Sequence, residues 1–83
     1  MNKLMVEIYL PAAGKSYDVR IPSNARIGEI IPLVESCMAD LAGGYYIPGQ
    51  NSILCERTTG IELDVNLTPC EMGIINGARL MLI

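Results

Sequence analysis

From Lys3 the chain alternates: Leu4, Val6, Ile8 and Leu10 recur at every second position, the period of a strand with one buried face. "PAAGK" supplies the Pro and Gly of a hairpin connection, and Tyr17, Val19 and Ile21 then alternate with Ser16, Asp18 and Arg20 as a second strand. Pro22 ends it, because proline removes a ladder donor. At Ile27 the period changes. Ile27, Ile30, Ile31, Val34, Met38 and Leu41 fall on one helical stripe, and Gly43-Gly44 supplies a left-handed cap at its end. Pro32 sits inside this stripe, so either the helix is kinked there or it begins there. The continuity of the stripe across Pro32 favours the kink.

"YYIPGQN" reads as a loop. Ile53 and Cys55 alternating with Leu54 and Glu56 read as a third strand, and a tight turn at "RTTG" leads to a short fourth strand carrying Ile61, Leu63 and Val65. In "LTPCE", Thr68 as N-cap, Pro69 at the first helical position and Glu71 closing a capping box predict one helical turn. Asn76-Gly77 suits a turn that needs positive φ, and "RLMLI" is the last strand. One amphipathic helix following a hairpin must cover one sheet, which makes the fold class α+β. The apolar run Leu80, Met81, Leu82 and Ile83 suits a central strand parallel to the first. Leu80 and Leu82 would then meet the helix, and Met81 and Ile83 would lie on the open face.

With 83 residues the expectation is a single domain, residues 1–83, near the lower limit of what one core supports. The hydrophobic share is 51% and all four aromatic rings are Tyr, so aliphatic side chains and Met must build that core. A net charge of −3 with no basic cluster disfavours nucleic acid as a partner. Protein partners follow as the expectation. Lys3 before an apolar run resembles a signal peptide, but Glu7 interrupts the run and its alternation is that of a strand. Nothing approaches the ~18 apolar residues of a membrane span, so a cytoplasmic location without membrane insertion is expected. Cys37, Cys55 and Cys70 are odd in number and widely spaced. They fit neither a disulfide framework nor a zinc site, and read as small buried hydrophobes with free thiols.

The ending "GIINGARLMLI" resembles the Gly-Ile-x-x-Gly-x-x-Leu ending of many ubiquitin-like domains, in which a turn delivers the chain into its central strand. With "YDVRIPSNARIGEIIPLVES", it is similar to the YukD/EsaB family, the small ubiquitin-like proteins associated with type VII (ESX, WXG100-type) secretion in bacteria. It also resembles the N-terminal ubiquitin-like domain of the EccD membrane component, including the Ile-Pro before the helix and a Pro within it. The resemblance covers nearly the whole chain and implies a β-grasp fold, a mixed sheet of four to five strands in the order 2-1-5-3 on one main helix. Family members lack a conjugating tail and are implied to act through contacts with the secretion machinery or its regulation. "LTPCEMGI" departs from the pattern by being two residues longer between Leu67 and Ile74.

Two functions then compete. One is a non-conjugated interaction module of type VII secretion, accessory or regulatory. The other is a sulfur carrier or modifier, which needs a C-terminal Gly-Gly on a slim tail, whereas the sequence here ends in the bulky Ile83 within a strand. A two-iron ferredoxin on this scaffold would need four clustered cysteines, and a hydrolase or transferase would need a nucleophile with a base in reach. With no histidine and no converging acidic cluster, neither an enzyme nor a bound cofactor is expected. What remains to act is surface. Met5, Tyr9, Leu54, Met81 and Ile83 are expected to share the open face of the sheet as a partner-binding patch. Its occupant would be a component of the secretion machinery or a second copy of the chain as a homodimer.

Overall fold

A computed structural model describes residues 3–43 and 52–83. Gly44 of the expected cap and the loop expected over Tyr45–Asn51 lie outside the described residues. Strand β1 (Lys3–Leu10) turns back on β2 (Lys15–Pro22), and the helix α1 (Ile27–Ala42) follows. β3 (Leu54–Glu56) and β4 (Arg79–Leu82) complete a sheet in the order β2-β1-β4-β3. The last strand is therefore central, parallel to β1 and antiparallel to β3, as the apolar run at Leu80–Ile83 predicts.

Alternation decides which face each strand buries. Val6, Ile8 and Leu10 of β1, Val19 and Ile21 of β2 and Leu80 and Leu82 of β4 point to one side. There they pack with Ile27, Ile30, Val34, Met38 and Ala42 of the helix. Burying this aliphatic surface is the main term that holds the two layers together. At the end of the helical stripe Leu41 is 53% exposed and Ala42 takes the buried place. Both positions fit a 3.6-residue period after Met38, and the small side chain is the one turned inward.

The helix starts at Ile27, so Pro32 lies within it rather than at its head. Its first donors are satisfied by distant carbonyls: Ile27 N–H donates to Leu67 O at 2.8 Å and Gly28 N–H to Val65 O at 3.0 Å. Glu29 accepts from the Arg26 N–H at 3.2 Å. The segment between β3 and β4 thus acts as the cap that the sequence before the helix lacks.

That segment departs from expectation. Ile61, Leu63 and Val65 form no strand, only an isolated bridge between Cys55 and Glu62. Leu63 is buried, whereas Ile61 and Val65 are exposed: among the described residues no strand beyond β3 extends the sheet to hold them. The capping box at Thr68 is present: Thr68 N–H donates to Glu71 Oε1 at 2.9 Å and Glu71 N–H to Thr68 Oγ1 at 3.1 Å. The turn does not lengthen into a helix. Gly73 at φ 74° stops it, with Ile74 N–H on Pro69 O at 2.9 Å and Gly73 N–H on Cys70 O at 3.2 Å. This paired closure around a left-handed glycine is the helix-ending Schellman pattern. Gly77, at φ 86°, turns the chain into β4.

Candidate functional site

Residues of β1 that point away from the helix set one line of the open face: Met5, Glu7 and Tyr9. The antiparallel register places Arg20 opposite Met5, Asp18 opposite Glu7 and Ser16 opposite Tyr9. On the other side the parallel register sets Arg79 beside Glu7 and Met81 beside Tyr9. Met81 is in turn opposite Cys55. Ile53 and Ile83 exchange both backbone hydrogen bonds, at 2.7 and 2.9 Å, and extend the same apolar end of the face. Ile53 is 38% and Ile83 is 56% exposed.

Four of the expected patch residues, Met5, Tyr9, Met81 and Ile83, are on this face. Leu54 is not. It is 1% exposed and belongs to the helix-facing core, with Ile53 and Cys55 turned the other way. The run Ile53-Leu54-Cys55 is apolar at every position, so alternation alone could not orient it. Nor is the patch continuous. Met5 lies four residues from Tyr9, roughly 13 Å along an extended strand, and Glu7 stands between them with Arg79 beside it.

Arg57 spans the middle of this face. Its guanidinium carbon lies 4.2 Å from the centroid of the Tyr9 ring, and Nη1 donates to Ser16 Oγ at 3.1 Å and to Glu7 Oε1 at 3.4 Å. Arg79 Nε reaches the same Glu7 oxygen at 3.6 Å. One carboxylate is thereby held between two guanidinium groups, and the planar cation covers an aromatic face whose quadrupole attracts it. The only signal in the sequence was an arginine at the end of a strand, which gives no reach. The face consists of an apolar end (Tyr9, Met81, Ile53, Ile83) beside a charged belt in which Arg20, Arg57 and Arg79 are interleaved with Glu7 and Asp18.

The thiols divide by environment. Cys55 is buried, donates to Met81 O at 3.5 Å, and has its pKa pushed up by burial and then by the nearby Glu62 carboxylate. Cys37 and Cys70 are exposed, contrary to the expectation of buried thiols: Cys37 lies off the core-facing side of α1, and Cys70 lies in the turn that follows Thr68. Among the described residues no group of three or more Cys, Asp or Glu side chains is placed to hold a metal ion. No described helix is long and apolar enough to cross a membrane. A cleft of about 430 Å³ lies between β4 and the segment before it, lined by Ile61, Leu63, Met72, Ile74 and Leu80 with Glu56 and Arg79 at its edge.

No family model and no curated protein matches the chain in sequence. Solved structures match its shape. The ubiquitin-like domain of the Mycobacterium tuberculosis type VII secretion system protein ECCD1 superposes with a TM-score of 0.78 at 15% identity, covering 100% of this chain and 99% of that one. The EccD5 ubiquitin-like domain from Mycobacterium xenopi gives 0.77 at 24% identity, over 100% and 94% of the two chains. A chain of the MycP5-free ESX-5 inner membrane complex gives 0.73 at 18% identity, where this chain spans 21% of its length. These likenesses establish a ubiquitin-like β-grasp fold.

Proposed function

We propose that this chain is a ubiquitin-like interaction module of a type VII secretion system, related to the YukD/EsaB proteins and to the EccD N-terminal domain. It acts by binding, without catalysis, at the cytoplasmic side of an inner-membrane complex. The observation that carries the reading is the end-to-end likeness of the fold to the two EccD ubiquitin-like domains. The open sheet face supports it physically: an apolar end bordered by arginines is the composition of a protein-docking surface, with aromatic and Arg side chains at its centre. A partner that buries Tyr9 and Met81 there would present apolar side chains flanked by carboxylates.

The test is co-purification from the native organism with tagged protein. Membrane components of a type VII apparatus are expected to come down with the wild type and to be lost with Met81→Asp, which places a charge where the partner must desolvate it. Recovery of an adenylating enzyme in place of those components would overturn the reading in favour of a sulfur carrier or modifier.

A further inference from the structure

We propose that this chain self-assembles head to tail, the outer surface of α1 in one copy seating on the open sheet face of the next. The inference rests on that sheet face being a docking surface and adds a second surface and a committed occupant.

The helix carries two apolar stripes. The inner one builds the core. The outer one consists of Leu33, Cys37 and Leu41, at i, i+4 and i+8, which places them in one line roughly 12 Å long. Leu33 is 54% and Leu41 is 53% exposed, and Cys37 between them is exposed as well. A helix whose outward side is not needed for the core has no folding reason to keep two leucines there.

Charge selects what covers this stripe. Residues 27–42 contain Glu29, Glu35 and Asp40 and no Lys or Arg, so the helix is uniformly acidic. The open sheet face carries the opposite sign by a small excess, with Lys3, Arg20, Arg57 and Arg79 against Glu7, Asp18 and Glu62, the last beside Cys55. Helix against helix would bring the Glu29 and Asp40 carboxylates of both copies together, and sheet against sheet would set two faces of the same net positive sign against each other. Only helix on sheet pairs opposite signs around two apolar centres. That contact also repeats the layering inside the domain, where the same helix covers the same sheet from the other side. An interface between different patches does not close on itself unless the rotation happens to, so short open stacks are the expected product.

The experiment uses purified protein alone, so its failure leaves the secretion reading to the co-purification above. Sedimentation velocity is run from about 10 μM to about 1 mM, the range in which weak contacts populate complexes. Leu33→Lys/Leu41→Lys breaks the helix surface with residues of good helix propensity, and Ile83→Glu breaks the sheet surface at an exposed position. Circular dichroism checks that both still fold. Wild type is expected to grow in size with concentration, and less so at high salt. Each variant alone should associate at least tenfold more weakly. An equimolar mixture of the two should form a 1:1 pair and stop there, because one intact helix surface meets one intact sheet surface. Wild type that stays monomeric throughout, either variant still dimerising alone, or a mixture that forms no pair would each overturn the proposal.

Discussion

Leu54 and Ile53 are neighbours in the chain, and the structure gives them opposite fates. Leu54 is 1% exposed and joins a core that includes Leu63, Leu80 and Leu82, whereas Ile53 lies on the open face. Leu54→Ala removes most of a buried side chain and leaves a cavity that a three-residue strand held by β4 can only partly close. Such truncations cost about 2–5 kcal/mol. A chain of 83 residues, at roughly 0.05–0.15 kcal/mol per residue, holds about 4–12 kcal/mol in all. The substitution therefore removes on the order of a third of the total. Ile53→Ala loses only partly buried methyl groups and should cost under about 1 kcal/mol. Equilibrium urea unfolding followed by circular dichroism reads the contrast. With a slope of about 1 kcal/mol/M for so small a domain, Leu54→Ala should lower the midpoint by about 2 M or more, or leave no folded baseline, and Ile53→Ala by less than about 1 M. Equal shifts, or a larger one for Ile53, would show that β3 is turned the other way and would move Leu54 back into the docking surface.

Arg57→Ala should cost about 1 kcal/mol at low salt and less at high salt, since its ring contact and ion pair are partly exposed and screened; thermal unfolding at two ionic strengths checks this. Gly28→Ala would ordinarily gain about 1 kcal/mol in a helix, but its Cβ would meet the Val65 carbonyl oxygen at 3.2 Å, so the same measurement should show no gain. Ellman's reagent should label Cys37 and Cys70 quickly and Cys55 only on unfolding, giving three thiols in denaturant, and elemental analysis should find no stoichiometric iron or zinc. Because burial raises the Cys55 pKa, its thiol ionises more readily in the unfolded chain. Its share of stability is full below the unfolded thiol value of about 8.5 and is lost as pH rises from there through the folded value. Cys55→Ala should flatten the alkaline loss in a pH series of unfolding midpoints.

In the two long strands of the hairpin, alternation told which way the apolar positions faced. Val6, Ile8, Val19 and Ile21 were oriented by period alone, and Leu80 and Leu82 were oriented once β4 was placed at the centre. Leu54 was not, because its neighbours Ile53 and Cys55 are apolar as well. The alternation at Ile61, Leu63 and Val65 was real in the sequence, yet it met no partner strand beyond one bridge at Glu62. Pairing is a property of two segments and cannot be read from one. The same holds for the site. Tyr9 and Met81 are brought together by a parallel register between residues 72 apart, and Arg57 reaches Ser16 across the sheet, a contact that no local pattern encodes. The capping box at Thr68–Glu71 was legible because both halves lie within four residues.

The central position of β4 also governs the order of events during synthesis. Until Arg79–Leu82 emerge, β1 has a partner on one side only and β3 has no strand on the β1 side. The nascent chain then holds a hairpin and a helix that share an apolar surface open along one edge, the kind of transient edge that invites wrong pairing. Closing the sheet joins the earliest strand to the latest, so the step with the greatest loop-closure entropy comes at the end. A ribosome stalled before Arg79 would thus present a protease-sensitive chain, and release of those four residues would convert it to a resistant one.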